Sequence, residues 1–303
     1  MLRPGISLAQ LQAFVTVAEE LHFGRAAARL GVAQPPLSQQ IQRLETALGH
    51  KLFDRDTRKV QLTDAGTALH TFAHRMLLEM EEGLDRVRRV GRGEAGLLTI
   101  GFTATTALHI LPAIVQANRQ RYPLVELRLV EILPEPLWDQ LRAGRVDIAL
   151  SREMVPEPGV DVVTLLREAY VAVLPANHRL AVPDRPVRLA DLAAEKFILF
   201  PRNRVSRYHD RLVEICLAAG FMPRGVQEVP GWQTAISLVG AGMGITILPA
   251  CTASLALAGV VFRPLAEDAR SNITLSRRGD DERPLVANFL AVARGAAASV
   301  SGT

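Results

Sequence analysis

The sequence predicts an α/β protein in two parts: a winged helix-turn-helix joined to a long helix, then a two-lobed region of alternating strands and helices. Three observations carry this. Residues 23–45, FGRAAARLGVAQPPLSQQIQRLE, read as two short helices around a tight turn. Residues 63–90 hold one apolar seam at helical spacing. From residue 97 onward, apolar strand-like runs alternate with helical patterns, which argues for a mostly parallel sheet with helices on both faces.

Ser7, with Gln10 three residues on, is a capping-box start for a first helix, whose apolar face is Leu8, Leu11, Phe14, Val15 and Ala18. A second helix covers residues 23–30, where Ala26, Ala27 and Ala28 permit close helix approach. Gly31 suits the position after a helix end, where positive φ is favoured. A third helix begins near Gln34. Pro35 costs little there, because first-turn N–H groups lack internal partners. Leu37, Ile41, Leu44 and Leu48 bury one face of it, leaving Ser38, Gln39, Gln42 and Arg43 to meet a partner. Such a unit places its second helix in a DNA major groove. Residues 51–54 and 60–63 are expected as short strands of a wing around Arg55, Asp56, Thr57 and Arg58.

Residues 64–90 are expected as a linker helix. Leu69, Ala73, Met76, Met80, Gly83, Val87 and Val90 form its seam, widened by Leu77 and Leu84, and such a seam needs a partner. Pairing of two chains is the preferred account, and packing within one chain is the alternative. Gly91, Gly93 and Gly96 break the helix and mark a hinge at 91–96. In the C-terminal region, strands are expected at 97–102, 125–132, 146–151, 170–174, 196–200, 245–248 and 273–276. Helices are expected at 112–121, 138–143, 206–219, 231–241 and 284–294. The first lobe takes in about 97–167 and 269–303, and the second about 168–268. Two lobes of about 100 residues each leave a cleft, and open α/β sheets bind ligands beyond the carboxyl ends of their strands.

Bulk properties narrow the function classes. The chain has 303 residues, 49% of them hydrophobic, with a formal net charge of +4, compatible with local contact with an anion but no proof of nucleic-acid binding. Two cysteines, Cys216 and Cys251, give neither a disulfide framework nor a metal spacing, and Cys216 reads as a buried core residue. No export signal or membrane-spanning run of about 20 apolar residues is expected, so the cytoplasm is the expected compartment and no membrane partner is expected. His70 and His74 lie four apart, but no HExxH, GxSxG or P-loop surrounds a candidate catalytic set. No metal, cofactor or enzymatic activity is expected. The rival readings are an exported solute-binding protein and an enzyme on the same two lobes; neither accounts for the N-terminal unit.

Five segments carry a resemblance: AQPPLSQQIQRLE, LGHKLFDR, LTDAG, GRVDIAL and GAGMGITILPA. On them the chain resembles the LysR-type transcriptional regulators over nearly its whole length. Through LVGAGMGITILPAC and IGFTATTALHILP it is most similar to the branch controlling aromatic-compound degradation, the benzoate, catechol and chlorocatechol regulators. The resemblance implies a periplasmic-binding-protein-like effector domain, homodimers and homotetramers, a small-molecule co-inducer, promoter DNA and RNA polymerase as partners.

Residue chemistry and the resemblance together nominate the site residues. The amides of Gln34 and Gln39 suit base edges, Pro35 suits a thymine methyl, and Ser38 suits a phosphate. The resemblance places Arg58 in the minor groove, and Arg43, Arg55 and Thr63 are expected on the DNA backbone. Gln39 departs from several relatives, which carry Arg there. In the cleft, the hydroxyls of Thr103, Thr105 and Thr106 come directly after the first strand, and Arg202, Arg204 and Arg207 cluster around Ser206 at a helix start, which attracts anions. Arg152 ends a strand of the opposite lobe. The resemblance puts Thr105, Arg152, Ser206, Arg207 and Tyr208 at the pocket, with Trp232 and Gln233 nearby. The expected ligand is anionic, a small aromatic or diene carboxylate. Pro134 stands where muconate-responsive relatives have a ligand-binding threonine, and it offers neither hydroxyl nor N–H.

Overall fold

The computed structural model describes residues 6–56 and 59–301. Its contacts divide the chain into two compact units, Met1–Arg88 and Arg89–Thr303.

In the first unit, α1 (Leu8–Glu20) starts at Ser7, whose side chain and Gln10 form the reciprocal capping box. Helix α2 (Phe23–Leu30) starts at His22, whose Nδ1 accepts from Arg25 N, and ends at Gly31 with φ 69°. Helix α3 (Gln34–Leu48) opens on its prolines and buries Leu37, Ile41 and Leu44. Strands β1 (Phe53–Asp56) and β2 (Lys59–Leu62) pair antiparallel, Phe53 opposite Leu62. The hairpin thus lies slightly displaced from the expected 51–54 and 60–63. Phe53 turns inward, its ring 5.3 Å from Phe14 and 5.9 Å from Phe23. Burying each such ring contributes about 1.5–3 kcal/mol, which is what holds the wing to the three helices. Ala26 and Ala27 are buried as expected, but Ala28 is exposed: it lies on the outer side of the short helix.

Helix α4 (Asp64–Gly91) runs for 28 residues, and its seam has two fates. Leu69, Ala73, Met76 and Leu77 pack on the core of α1–α3. Leu84, Val87 and Val90 are exposed. The seam's first four residues are therefore satisfied within the chain, while its last three lack a cover among the described residues; Phe72 and Leu78, off the seam, are exposed as well.

The second unit opens with β3 (Ala95–Phe102), α5 (Ala104–Ala107), α6 (Leu111–Arg121), β4 (Leu124–Glu131), α7 (Pro134–Arg142) and β5 (Ile148–Arg152). It continues with β6 (Val160–Pro175), β7 (Lys196–Leu199), α8 (Ser206–Ala218), β8 (Arg224–Glu228) and α9 (Trp232–Gly240). It closes with β9 (Thr246–Pro249), β10 (Val260–Pro264), β11 (Arg270–Arg278) and α10 (Pro284–Ser301). The main sheet runs β10-β6-β11-β5-β3-β4, with β9 also on β6, and β7–β8 form a separate parallel pair.

The expected mostly parallel sheet is corrected. Only β3–β4 and β3–β5 are parallel; β11–β5, β11–β6, β10–β6 and β9–β6 are antiparallel. The cause is β6, a 16-residue strand that leaves one lobe and enters the other, with β11 returning beside it. Its first half contributes Leu166 to a core with Leu98, Ile100, Ile148, Leu275 and Phe289. Its second half contributes Val173 and Leu174 to a second core with Phe197, Leu212, Ile236 and Ile247. Strand β6 thus serves the two larger of the unit's three buried clusters; the third gathers Leu137, Trp138, Leu141 and Val146.

Gly93 has φ 69°, and a Cβ there would overlap the backbone of Leu285. Asn288 Nδ2 also donates to the carbonyls of Arg92 and Gly93 at 2.9 and 3.1 Å. Within the stretch expected as a hinge, Gly93 thus serves a close approach to α10. Among the described residues no helix is long and apolar enough to cross a membrane.

Candidate functional site

Two surfaces bear the sequence-predicted residues. In the first unit, Gln34, Pro35, Gln39, Gln42 and Arg43 are exposed on α3, while Ser38 is half-buried. They lie opposite Leu37, Ile41 and Leu44, none more than 1% exposed, so the core fixes the direction of the polar face. Ala33 at the N-cap makes no side-chain cap bond, leaving the helix N-terminus unneutralised for an anion.

Glu45, which sequence reasoning missed, holds this helix in place. It is buried, and one carboxylate oxygen accepts from Leu52 N at 2.9 Å and Phe53 N at 3.4 Å; the other pairs with Lys51 at 3.2 Å. Its signal was a charged residue breaking the Leu37–Leu44 stripe at an inward position. Thr63 has a structural duty as well: its hydroxyl donates to Lys51 O at 2.8 Å and accepts from Gly66 N at 3.0 Å, capping α4. Arg55 lies on β1, its side chain outside the described residues, and Arg58 lies outside them altogether.

In the second unit a cavity of about 300 Å³ opens between the lobes. Of the expected effector residues, Thr103, Thr105, Arg152, Arg207, Tyr208, Trp232 and Gln233 line it. Ser206 and Arg202 do not. Ser206 is the first residue of α8 and lines an adjoining hollow, the N-cap being Val205. Arg202 turns outward onto Asp210, with two contacts of 2.7 and 3.1 Å, and that guanidinium holds the Asp210 carboxyl below its usual range. The charge cluster expected around 202–207 therefore delivers one arginine to the cavity, because Asp210 one turn into α8 takes another. Thr106 is fully buried and donates to Thr103 O at 2.7 Å.

One wall is aromatic. The Tyr208 ring packs 4.6 Å from Trp232 and 5.0 Å edge-on to Phe200, a flat apolar surface suited to a ring or diene. The Tyr208 hydroxyl donates to Ile247 O at 2.6 Å, and burial pushes its pKa well up, so it acts as a wall and not as an acid. Helices α8 and α9 both start at the cavity, and neither has a side-chain cap. Their first-turn N–H groups and dipoles favour negative charge there. Pro134 lines the same space without a donor of its own.

Arg152 lines the cavity as expected, but its donors are already taken. It is buried, and Nε donates to Thr105 Oγ1 and Nη1 to Ser271 Oγ, both at 3.1 Å. Nη2 donates to Glu168 Oε2 and to Cys251 Sγ at 3.4 Å. Burial would raise the Glu168 carboxyl, but Arg152 and the Cys251 N–H outweigh it and hold it below its ordinary value. Arg152 is thus a neutralised cross-brace in the cavity wall. Thr103 Oγ1 and Ser151 Oγ, in contrast, are buried at the same wall with no hydrogen-bond partner. An unmet buried hydroxyl costs about 1–3 kcal/mol; both oxygens are closed to solvent, so the wall itself carries that cost. Ser151 was missed, although it ends the same strand as Arg152 and the rule that singled out Thr103 applies to it equally.

Among the described residues, one group places potential metal ligands together: His109, Glu168 and Cys251, within 4.8 Å. The Arg152 guanidinium occupies that space, and burial pushes the Cys251 thiol up to about 12, so the set favours a proton and a cation already present over a metal ion.

Comparison with known proteins joins the two surfaces. Residues 8–67 match the family described as bacterial regulatory helix-turn-helix protein, lysR family, and residues 91–298 match the LysR substrate binding domain. The chain is 34% identical over 286 residues to the HTH-type transcriptional regulator AlsR of Bacillus subtilis, covering 94% of each. It is 37% identical to the HTH-type transcriptional regulator CatR of Pseudomonas putida, covering 94% of this chain and 97% of that one. A crystal structure of CbnR, a LysR family transcriptional regulator, superposes with a TM-score of 0.86 at 29% identity, covering 95% of this chain and all of that one. CbnR complexed with its target DNA superposes with a TM-score of 0.80, at 28% identity and over 96% and 100% of the two chains.

Proposed function

The chain belongs to the LysR family of DNA-binding transcriptional regulators, and within that frame we propose a role for each of its parts. Residues 1–63 read promoter DNA, 64–90 pair two chains, 91–96 join the parts, and 97–303 bind a small anionic effector. The single observation that supports the DNA role most is the polar face of α3, fixed outward by Leu37, Ile41 and Leu44. Gln34, Pro35 and Gln39 meet base edges there, with Ser38, Arg43, Arg55 and Thr63 on the backbone and Arg58 in the minor groove. The Thr63 contribution goes through its placing of α4, because its hydroxyl and its N–H are both committed within the chain.

The effector is an aromatic or diene carboxylate. The apolar ring wall and the two uncapped helix starts support that class. The effector is a co-inducer: it must bind one arrangement of the assembled protein better than another, since only differential affinity shifts a population. Homodimers assemble into homotetramers, which act on RNA polymerase at the promoter. The protein works in the cytoplasm and catalyses no turnover of its effector.

Footprinting of the intact chain on a dyad-bearing promoter fragment tests this. Binding tighter than to random duplex by three orders of magnitude or so at physiological salt is expected. Equal affinity for both duplexes refutes the proposal.

A further inference from the structure

Both arginines that line the cavity already hold a glutamate, and the two pairs differ in where a displaced glutamate could go. Arg152 and Glu168 have side chains only 5% exposed, and Glu168 also accepts the backbone N–H of Cys251. A carboxylate expelled from that place has no water to enter, so exchange there is closed. Arg207 and Glu157 are 37% and 32% exposed. Solvent reaches both, and Glu157 can rehydrate if displaced.

Glu157 does more than pair. Its Oε1 accepts from Arg207 Nη2 at 2.8 Å, its Oε2 accepts from Trp138 Nε1 at 2.7 Å, and the same oxygen lies 3.6 Å from Arg142 Nη1. Trp138 and Arg142 belong to α7, and Arg207 to the first turn of α8. One carboxylate thus ties the two helices across the opening. Arg207 and Pro134 also line both the main cavity and a second hollow of about 260 Å³ walled by Trp138, Met154 and Ser206. Arg207 thus borders both spaces.

We propose that Glu157 is a displaceable internal competitor for the effector: the effector's anionic group takes Arg207, and the departure of Glu157 unties α7 from α8. This rests on the reading of the effector as an anion. Glu157 then sets affinity, and it sets charge specificity too, because a neutral amide accepts from a guanidinium more weakly than the carboxylate it would have to displace.

The test is isothermal titration of the full chain with benzoate, cis,cis-muconate and benzamide. Glu157→Gln is expected to bind the two acids about three- to tenfold more tightly than the unsubstituted chain, with benzamide unaffected. Glu157→Asp, which keeps the charge, is expected to stay near the original affinity. Arg207→Ala weakens the acids, and adding Glu157→Gln to it gives no further gain, since the competitor has lost its object. A merely structural Glu157 would lower affinity on substitution and could not raise it. Acid binding that is unchanged or weakened in Glu157→Gln, or that improves equally in the Arg207→Ala background, overturns the proposal alone. If Glu157→Gln does not fold, Glu157→Ser carries the same test. Benzamide bound as tightly as the acids by every variant, or no binding of either acid to any of them, overturns the anionic-effector reading and the proposal with it.

Discussion

Arg152 spends its donors inside the protein, and that decides what its substitution does. Its contacts reach α5, β6, β11 and the Cys251 turn, so the pair with Glu168 braces elements from both lobes. Glu168→Gln removes the charge while keeping the shape, leaving a buried guanidinium uncompensated. The expected cost is about 3–5 kcal/mol, read as a fall of the melting temperature by about 10 °C at pH 7. The pH dependence has a definite sign. Glu168 is held below its ordinary 4.5, so its contribution is full above that value and is lost as pH falls through the depressed one. The melting difference between the two proteins should therefore be present at pH 7 and shrink below about pH 4.5; a difference that grew below that value would contradict the pairing. Beside this pair, burial pushes both cysteine thiols up to about 12. Neither should react with a disulfide reagent at pH 8 in the native chain within the time that an unfolded chain reacts fully.

Helix α3 shows what a single element can be asked. Gln39→Ala removes an exposed amide and no core contact, so stability stays and DNA affinity changes. If the amide makes a bidentate base contact, the loss is about 1–3 kcal/mol at one base step, seen in footprints as relaxed preference at that step alone. A uniform loss across sequences would assign Gln39 to the phosphate backbone instead. The first four helices were legible in the sequence because each announces itself locally: Ser7 with Gln10, Gly31 after Leu30, prolines at the start of α3, and a 3–4 apolar spacing. Strand β6 was half read. Its segment 160–169 mixes Asp161, Arg167 and Glu168 among apolar residues, because one side of it pairs β11 and its polar groups serve the brace. Period alone cannot report that. Strands β8 and β10 escaped for a related reason: β8 carries Arg224, Gln227 and Glu228, and β10 is only half-buried. In the cavity, residues at strand and helix ends were legible, seven of the nine expected lining it. What the sequence hid was which charges are already taken, since Glu168, Asp210 and Glu157 reach their arginines through folding and not through spacing.

For the whole molecule, the unanswered face is the later half of α4. Its earlier seam residues Leu69, Ala73, Met76 and Leu77 are spent on the core of the first unit, whereas Leu84, Val87 and Val90 are exposed, at 48, 69 and 53%. Exposed apolar residues at one helical spacing are costly in water and are relieved by a matching helix. A second copy of the chain answers two needs at once. It would cover the seam and supply a second reading head, so that a dyad site would be gripped at both halves and the two contacts would reinforce each other. Leu84→Glu with Val87→Glu should leave each monomer folded, because neither side chain belongs to a core. Sedimentation should then report a smaller species than the unsubstituted chain at the same concentration. Affinity for a dyad fragment should fall by about a hundredfold or more, while affinity for a single half-site changes little. An unchanged mass would exclude this seam as the pairing surface. A reduced mass with undiminished dyad affinity would separate assembly from recognition and leave α3 to act alone.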